Sequence, residues 1–176
     1  MAAMGGLLAM PLAAWERDGL KTALAKAGLP ADDIGDPHLL FWRFESRANV
    51  PAGFGGLEIH HGDALLRSIV TLPPVRRLGM GSAIVAVLEI EARARKCRSI
   101  YLVTTSEAGF FGRLGYTACS RNDVPEAIAK DPAFFQALLR SRNRDGQANT
   151  PLTIPRRDLP GRNYNCMKGG ISCDRR

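Results

Sequence analysis

Between Phe54 and Lys96 the chain passes from two alternating apolar segments, through a glycine-containing loop, into an amphipathic helix, and this order restricts its folds more than any other feature. Phe54–His60 and Ala64–Thr71 flank His61-Gly62-Asp63, a short connection that predicts an antiparallel hairpin. Pro73-Pro74 ends the second strand, and Arg76-Arg77-Leu78-Gly79-Met80-Gly81 follows it. Ile84, Val85, Leu88 and Ala92 then mark one apolar face of a helix over Ser82–Lys96. Glycines beside a helix N-terminus let backbone N–H groups approach an anion, and the helix dipole favours it, so a diphosphate fits such a loop. An ordinary tight strand-to-helix turn with two glycines and two surface arginines would read the same way. The loop lacks the G-x-G-x-x-G spacing of a dinucleotide fingerprint, and its strand comes from a hairpin and not from a parallel βαβ unit. No Gly-Lys-Ser/Thr follows, which excludes a P-loop.

The flanking segments complete the frame. Ala14–Ala27 repeats Leu20, Leu24 and Ala27 at helical spacing and is stopped by Gly28-Leu29-Pro30. Leu39–Glu45 reads as an aromatic-rich strand, and Ser46–Pro51 as the turn after it. Ser99–Thr105 reads as a buried strand, Glu107–Leu114 as a short helix closed by Gly115, and Tyr116–Ser120 as a further strand. Val124–Lys130 and Phe134–Arg140 are helical in pattern. The order α, three β, α, β, α, β, α predicts an α/β chain of the α+β type, with a mixed, mostly antiparallel central sheet flanked by helices. Met1–Leu12 is apolar but carries no basic residue before its apolar run, so it is expected to be a loose N-terminus and not a signal.

The formal charge of +7 raises the question of nucleic acid, and its distribution answers it. Residues 1–139 hold 15 Lys/Arg against 14 Asp/Glu, whereas residues 140–176 hold 9 against 3. Basicity therefore belongs to the tail, and a nucleic-acid partner has no other support. Residues 1–140 are expected to form the functional domain and 141–176 a basic, disordered C-terminal extension, because the tail has few aromatics and carries Pro151, Pro155 and Pro160. No uninterrupted apolar run reaches the roughly 18–20 residues of a membrane span. Cys97, Cys119, Cys166 and Cys173 form no C-x-x-C pair and the histidines no H-x-x-x-H, so neither a metal nor a disulfide framework is expected, and the protein is expected in the cytoplasm.

The spacing Arg76-x-x-Gly79-x-Gly81 resembles the R-x-x-G-x-G signature of the GNAT acetyltransferase superfamily, and Phe110-Phe111-x-Arg113-x-Gly115-Tyr116 resembles its F-Y-x-x-x-G-F segment at the expected distance downstream. Within that superfamily, Asp63–Ser68, Tyr101–Thr105 and Arg121–Pro125 look like the branch associated with arsenic resistance, a similarity that runs from about Trp15 to Leu139. The tail departs from that branch, whose members end soon after the last helix with a Cys-Pro-containing segment. The resemblance implies that acetyl coenzyme A lies along Ile69, Val70 and Thr71, with its diphosphate over Arg76, Leu78, Gly79, Met80, Gly81 and Ser82 and its pantetheine arm near Phe110 and Phe111. Arg77 stands where the family has a glycine.

Acetyl transfer to an amine needs a proton acceptor, because an unperturbed alkylammonium has a pKa near ~10. Glu58 is the candidate: it sits in the apolar run Phe54–Ile59, where desolvation would raise its pKa, unless strand alternation turns it to solvent. Many family members offer a tyrosine acid where this chain has Phe111, so coenzyme A is expected to leave as the thiolate, with Tyr116 as the other conceivable donor. Arg67 suits a carboxylate or phosphonate-like group on the acceptor, and Thr104 and Thr105 could hydrogen-bond the acceptor or the thioester carbonyl; surface and strand roles account for all three equally well. The expected partner is a small-molecule amine, and exposed strand edges leave a homodimer open. Protein N-acetylation and a degenerate acyl-CoA-binding domain are the alternatives.

Overall fold

The computed structural model describes residues 2–4, 6–76, 78–104, 106–131, 134 and 150–155. Its centre is β4 (Pro51–His60), paired antiparallel with β3 (Leu39–Ser46) on one side and β5 (Asp63–Thr71) on the other. The predicted hairpin joins β4 to β5 through His61 and Gly62, both at positive φ (45° and 93°), the geometry of a two-residue turn that follows the strand twist. Helix α2 (Met80–Ala94) carries the chain over the sheet to β6 (Ser99–Thr104), the one parallel neighbour of β5. The other pairings are antiparallel, and with β1 (Ala2–Met4), β2 (Leu7–Pro11), β7 (Thr117–Ala118) and β8 (Thr150–Pro155) the sheet order is β1-β2-β3-β4-β5-β6-β8-β7.

Helix α2 lies directly on β4, and two glycines make room for it. A Cβ on Gly53 would stand 2.9 Å from Ile84 Cδ1, and one on Gly55 2.7 Å from Leu88 Cδ1. Leu57, Leu66, Val85 and Leu102 extend this layer. The opposite face is covered by α1 (Arg17–Lys26), whose Leu20 and Leu24 are fully buried with Ile34, Leu39, Phe41 and Val70. Each leucine so buried contributes about 1.5–3 kcal/mol relative to exposure. A third cluster on this opposite face joins Leu65 and Tyr101 to Val124, Ile128 and Phe134, and α4 (Glu126–Ala129) supplies its lid.

Two expectations change. The N-terminus is not loose: Leu7–Pro11 forms β2 against β3, and Ala2–Met4 forms β1 against β2. Its alternation, with Leu7 and Ala9 buried, is that of a half-buried strand, obscured in sequence by small residues. The extension after residue 140 is not wholly outside the domain either. Thr150–Pro155 forms β8, which enters the sheet between β6 and β7 (Thr117–Ala118). β-Branched and proline-flanked, these residues suit a strand that the tail's charge hid. The short helix α3 (Ala108–Arg113) lies where expected, while the predicted helix over Phe134–Arg140 falls outside the described residues except at Phe134. No helix is long and apolar enough to cross a membrane among the described residues.

Candidate active site

A slip in the β4–β5 register opens the site. Phe54 pairs with Val70 but Gly56 with Arg67, so Gly55 faces both Ser68 and Ile69, and Ser68 takes a positive φ of 56°. Such a bulge bends its strand and increases local twist. On the other side of β5, pairing with β6 stops after Ala64↔Ile100 and Leu65↔Tyr101. The stretch Arg67–Thr71 therefore has no ladder partner on its β6 side among the described residues. The backbone of Ile69, Val70 and Thr71 forms the β5 edge of this opening, with the Val70 side chain turned into the α1 cluster, and Thr104 ends β6.

The glycine loop lies just beyond Thr71. After a tight turn at Pro73–Val75, Gly79 adopts φ 74° as the residue before α2, with no side-chain cap on the helix. The first N–H groups of a helix lack intrahelical acceptors, so the amides at Met80, Gly81 and Ser82 point out of the helix start with no side-chain cap from Gly79, at the positive end of a 15-residue dipole. A Cβ on Gly81 would come within 3.4 Å of Phe110 Cζ and 3.7 Å of Thr71 Cγ2, so the loop is packed closely between α3 and the end of β5. Arg76 donates from Nε to Thr71 O at 3.3 Å, and Leu78 is 64% exposed. Arg77 lies outside the described residues.

Glu58 occupies the face opposite α2, one residue out of phase with Leu57, between Leu39 and Leu65 in register. It is 8% exposed, so it is not a solvent-facing strand carboxylate. Its Oε2 accepts from Arg67 Nη1 at 3.1 Å, and His60 Nε2 stands 3.4 Å from its Oε1. His60 Nε2 is also 3.8 Å from Oδ2 of Asp131, a buried carboxylate just after α4. Burial pushes the Glu58 carboxyl up to about 7, the neighbouring Asp131 adds to the rise, and Arg67 opposes it. Burial lowers the His60 imidazole, partly offset by Asp131. The three donor groups lie within 4.8 Å of one another, but the Arg67 guanidinium already faces Glu58, and like charge there opposes a cation.

A family model described as Acetyltransferase (GNAT) family matches residues 9–116. The chain belongs to this family. Among solved structures, the GNAT domain resembles an N-acetylglutamate synthase from Neisseria gonorrhoeae complexed with coenzyme A and N-acetyl-glutamate, at TM-score 0.68 and 15% identity, over 88% of this chain and 36% of that one. It also resembles a GNAT-family acetyltransferase from Staphylococcus aureus Mu50, at 0.63 and 14%, over 85% and 99% of the two chains. A third likeness is to the ribosomal-protein-S18-alanine N-acetyltransferase from Escherichia coli, at 0.62 and 16%, over 89% and 97%. No curated relative matches by sequence.

Within the GNAT fold the expected site residues separate into two groups. Ile69, Val70, Thr71, Arg76, Leu78, Gly79, Met80, Gly81, Ser82 and Phe110 gather around the splayed end of β5 and the start of α2. Phe111 does not face the opening in the same way: it is 8% exposed and edge-on to both Phe110 and Tyr116 in the core. The Tyr116 phenol is buried, and burial together with the Glu89 carboxylate pushes its pKa well above the ordinary value, so it is a poor proton donor to a thiolate. Arg67 is on the Glu58 face, yet its fork is already engaged: Nη1 holds Glu58 and Nη2 holds Asp33. Thr104 Oγ1 accepts from Glu107 N at 3.0 Å, stabilising the turn into α3, and Thr105 lies outside the described residues. Asp33, His60 and Asp131 were missed. His60 was legible in principle, since it shares the Glu58 face by strand alternation; the two aspartates come from distant loops with no local signal.

Proposed function

We propose that this GNAT protein transfers the acetyl group of acetyl coenzyme A to the amine of a small amino-acid-like molecule, acting in the cytoplasm. The observation that carries the reading is a buried carboxyl, Glu58, paired with Arg67 on the neighbouring β5, which ends four residues later at Thr71, just before the turn into the glycine loop. Four residues span at most roughly 13 Å, and the bulge at Ser68 shortens that, which suits one extended ligand reaching from the anion-binding loop to the base. The uncapped α2 amides, Gly79 and Gly81 fit a diphosphate, and the unpaired edge of Arg67–Thr71 fits an amide-bearing arm laid along it as a further strand. When bound, acetyl coenzyme A supplies the activated acetyl group as a thioester.

Glu58 takes a proton from the acceptor's ammonium, which frees the nitrogen lone pair for attack. Arg67 orients the carboxylate, and the two apolar clusters beside Glu58 exclude water from it. With Phe111 in place of a phenol and the Tyr116 hydroxyl buried, the thiolate leaves without side-chain acid, as its pKa of about 8.5 permits. The likeness to the arsenic-resistance-associated branch makes an arsenic-containing amino acid, or a related antimetabolite, the first acceptor to test. Because Arg67 is engaged by Glu58 and Asp33, the acceptor is selected through its amine and its shape, and a carboxylate would have to displace Asp33.

The test is thermal stability with and without acetyl coenzyme A, followed by thiol release against a panel of amino-acid-like amines. Ligand at 100-fold its dissociation constant stabilises by about 2.7 kcal/mol. Stabilisation with thiol release supports the proposal, and a peptide N-terminus as the sole working acceptor would redirect it to protein acetylation. The lack of a phenol at 111 favours one second reading, an acyl-CoA-binding domain without turnover. Stabilisation without thiol release for any amine would establish that instead.

A further inference from the structure

Acetylation of an ammonium group by a thioester breaks two N–H bonds: the proton lost from nitrogen after attack passes to the departing thiolate to give the thiol, and the one lost before attack must leave a site in which Glu58 is almost enclosed. Arg67 determines which Glu58 oxygen can carry it. A guanidinium has donors and no acceptor, so a proton on Oε2, which faces Arg67 Nη1, would be repelled; it must sit on Oε1. Oε1 is the oxygen that faces His60 Nε2 at 3.4 Å. That nitrogen is fully buried and has no hydrogen bond within normal limits, and Asp131 Oδ2 stands 3.8 Å from it and beside Glu58, the three groups lying within 4.8 Å of one another. Asp131 is fixed in turn: its Oδ1 accepts from Phe134 N at 2.8 Å, which leaves Oδ2 directed at the imidazole.

Resting on the acetyltransferase reading, we propose that Asp131 is a positioning residue for the general base and that Glu58, His60 and Asp131 form the exit path for its proton. The N–H bond of the ammonium breaks as O–H forms on Glu58 Oε1. That O–H then breaks as N–H forms on His60 Nε2, giving an imidazolium that the Asp131 carboxylate balances, and the ring's other nitrogen releases a proton to water. His60 is suited to the handover because it is the most exposed of the three side chains, at 16% against 10% for Glu58 and 4% for Asp131. The charged groups bearing on this path are Arg67 with its partner Asp33, and His61 and His38, which act on the imidazole. Two buried carboxylates, Glu58 and Asp131, face one imidazole, while the Arg67 guanidinium beside Glu58 is shared with Asp33.

The deciding experiment is a carbon-13-detected titration of the Glu58 carboxyl in the wild-type protein, in Asp131→Asn and in His60→Gln. Asparagine keeps the oxygen that accepts from Phe134 N, so folding is preserved, and unchanged melting temperature checks this. Asp131→Asn is expected to move the Glu58 midpoint to lower pH by about half a unit or more, since a like charge is removed. The acid limb of kcat/KM should move with it, and His60→Gln should lower kcat by about tenfold with the KM for acetyl coenzyme A unchanged. A Glu58 midpoint unmoved in Asp131→Asn overturns the proposal. The titration needs no turnover, so failure of the acetyltransferase reading, seen as no thiol release from wild type with any amine, is distinguishable from failure of the relay.

Discussion

The glycine loop and the Glu58 cluster lie at opposite ends of one stretch of β5 and are built on different principles. The loop binds with backbone: Gly79 at positive φ, an uncapped helix start and a glycine pressed against Phe110, all within a few consecutive residues. The cluster works with side chains brought from four separate places, Asp33 before β3, Glu58 and His60 on β4, Arg67 on β5 and Asp131 after α4. The first should tolerate side-chain change wherever backbone geometry survives. The second should respond to single polar substitutions and leave coenzyme binding alone.

The largest expected effect separates the two ends. Glu58→Gln should lower kcat by about 10²–10⁴-fold while leaving the acetyl coenzyme A-induced rise in melting temperature intact; loss of that rise would mean that the two ends are one unit. In the wild type, Glu58 must be ionised to accept a proton, so kcat/KM should climb as pH rises toward about 7 and level off above it, in initial-rate measurements at fixed coenzyme. Gly79→Val should do the converse. A β-branched residue at φ 74° is strained, so coenzyme-induced stabilisation of about 2.7 kcal/mol at 100-fold the wild-type dissociation constant should be largely lost, with the Glu58 titration unmoved. Arg67→Met should shift the acid limb to higher pH, since the guanidinium favours the Glu58 carboxylate, and a shift to lower pH would refute the assigned pairing. Asp33→Asn, at a side chain 36% exposed, should give the smallest change, a slight move of the same limb to lower pH as Arg67 is freed to pair with Glu58 alone.

The same contrast explains what could be read in advance. The hairpin, loop and α2 are local patterns, and Glu58 stood out because a carboxyl in an apolar strand must either face water or be perturbed. Arg67 stood out as a candidate for the acceptor, and what the sequence hid is that it pairs with the chain's own Glu58 and Asp33, contacts nine and thirty-four residues away that no spacing encodes. Asp131 was invisible for that reason. Both phenylalanines were expected beside the pantetheine arm, but a six-residue helix fixes which ring points inward only once it is docked: Phe111 packs in the core against Tyr116 and Phe110 lies against Gly81. The strands β2 and β8 escaped because one has small residues and the other lies in a charged tail, whereas tertiary pairing and not propensity makes them strands.

The position of β8 has a consequence for the rest of the molecule. It pairs with β6 from Ser99 to Thr104, and among the described residues it is the sole neighbour of β7 in the sheet. A chain ending at residue 140 would keep every group assigned to chemistry, yet it would present β6 as a bare template for self-association. The residues that look most dispensable thus act as the sheet's insulation against its own copies.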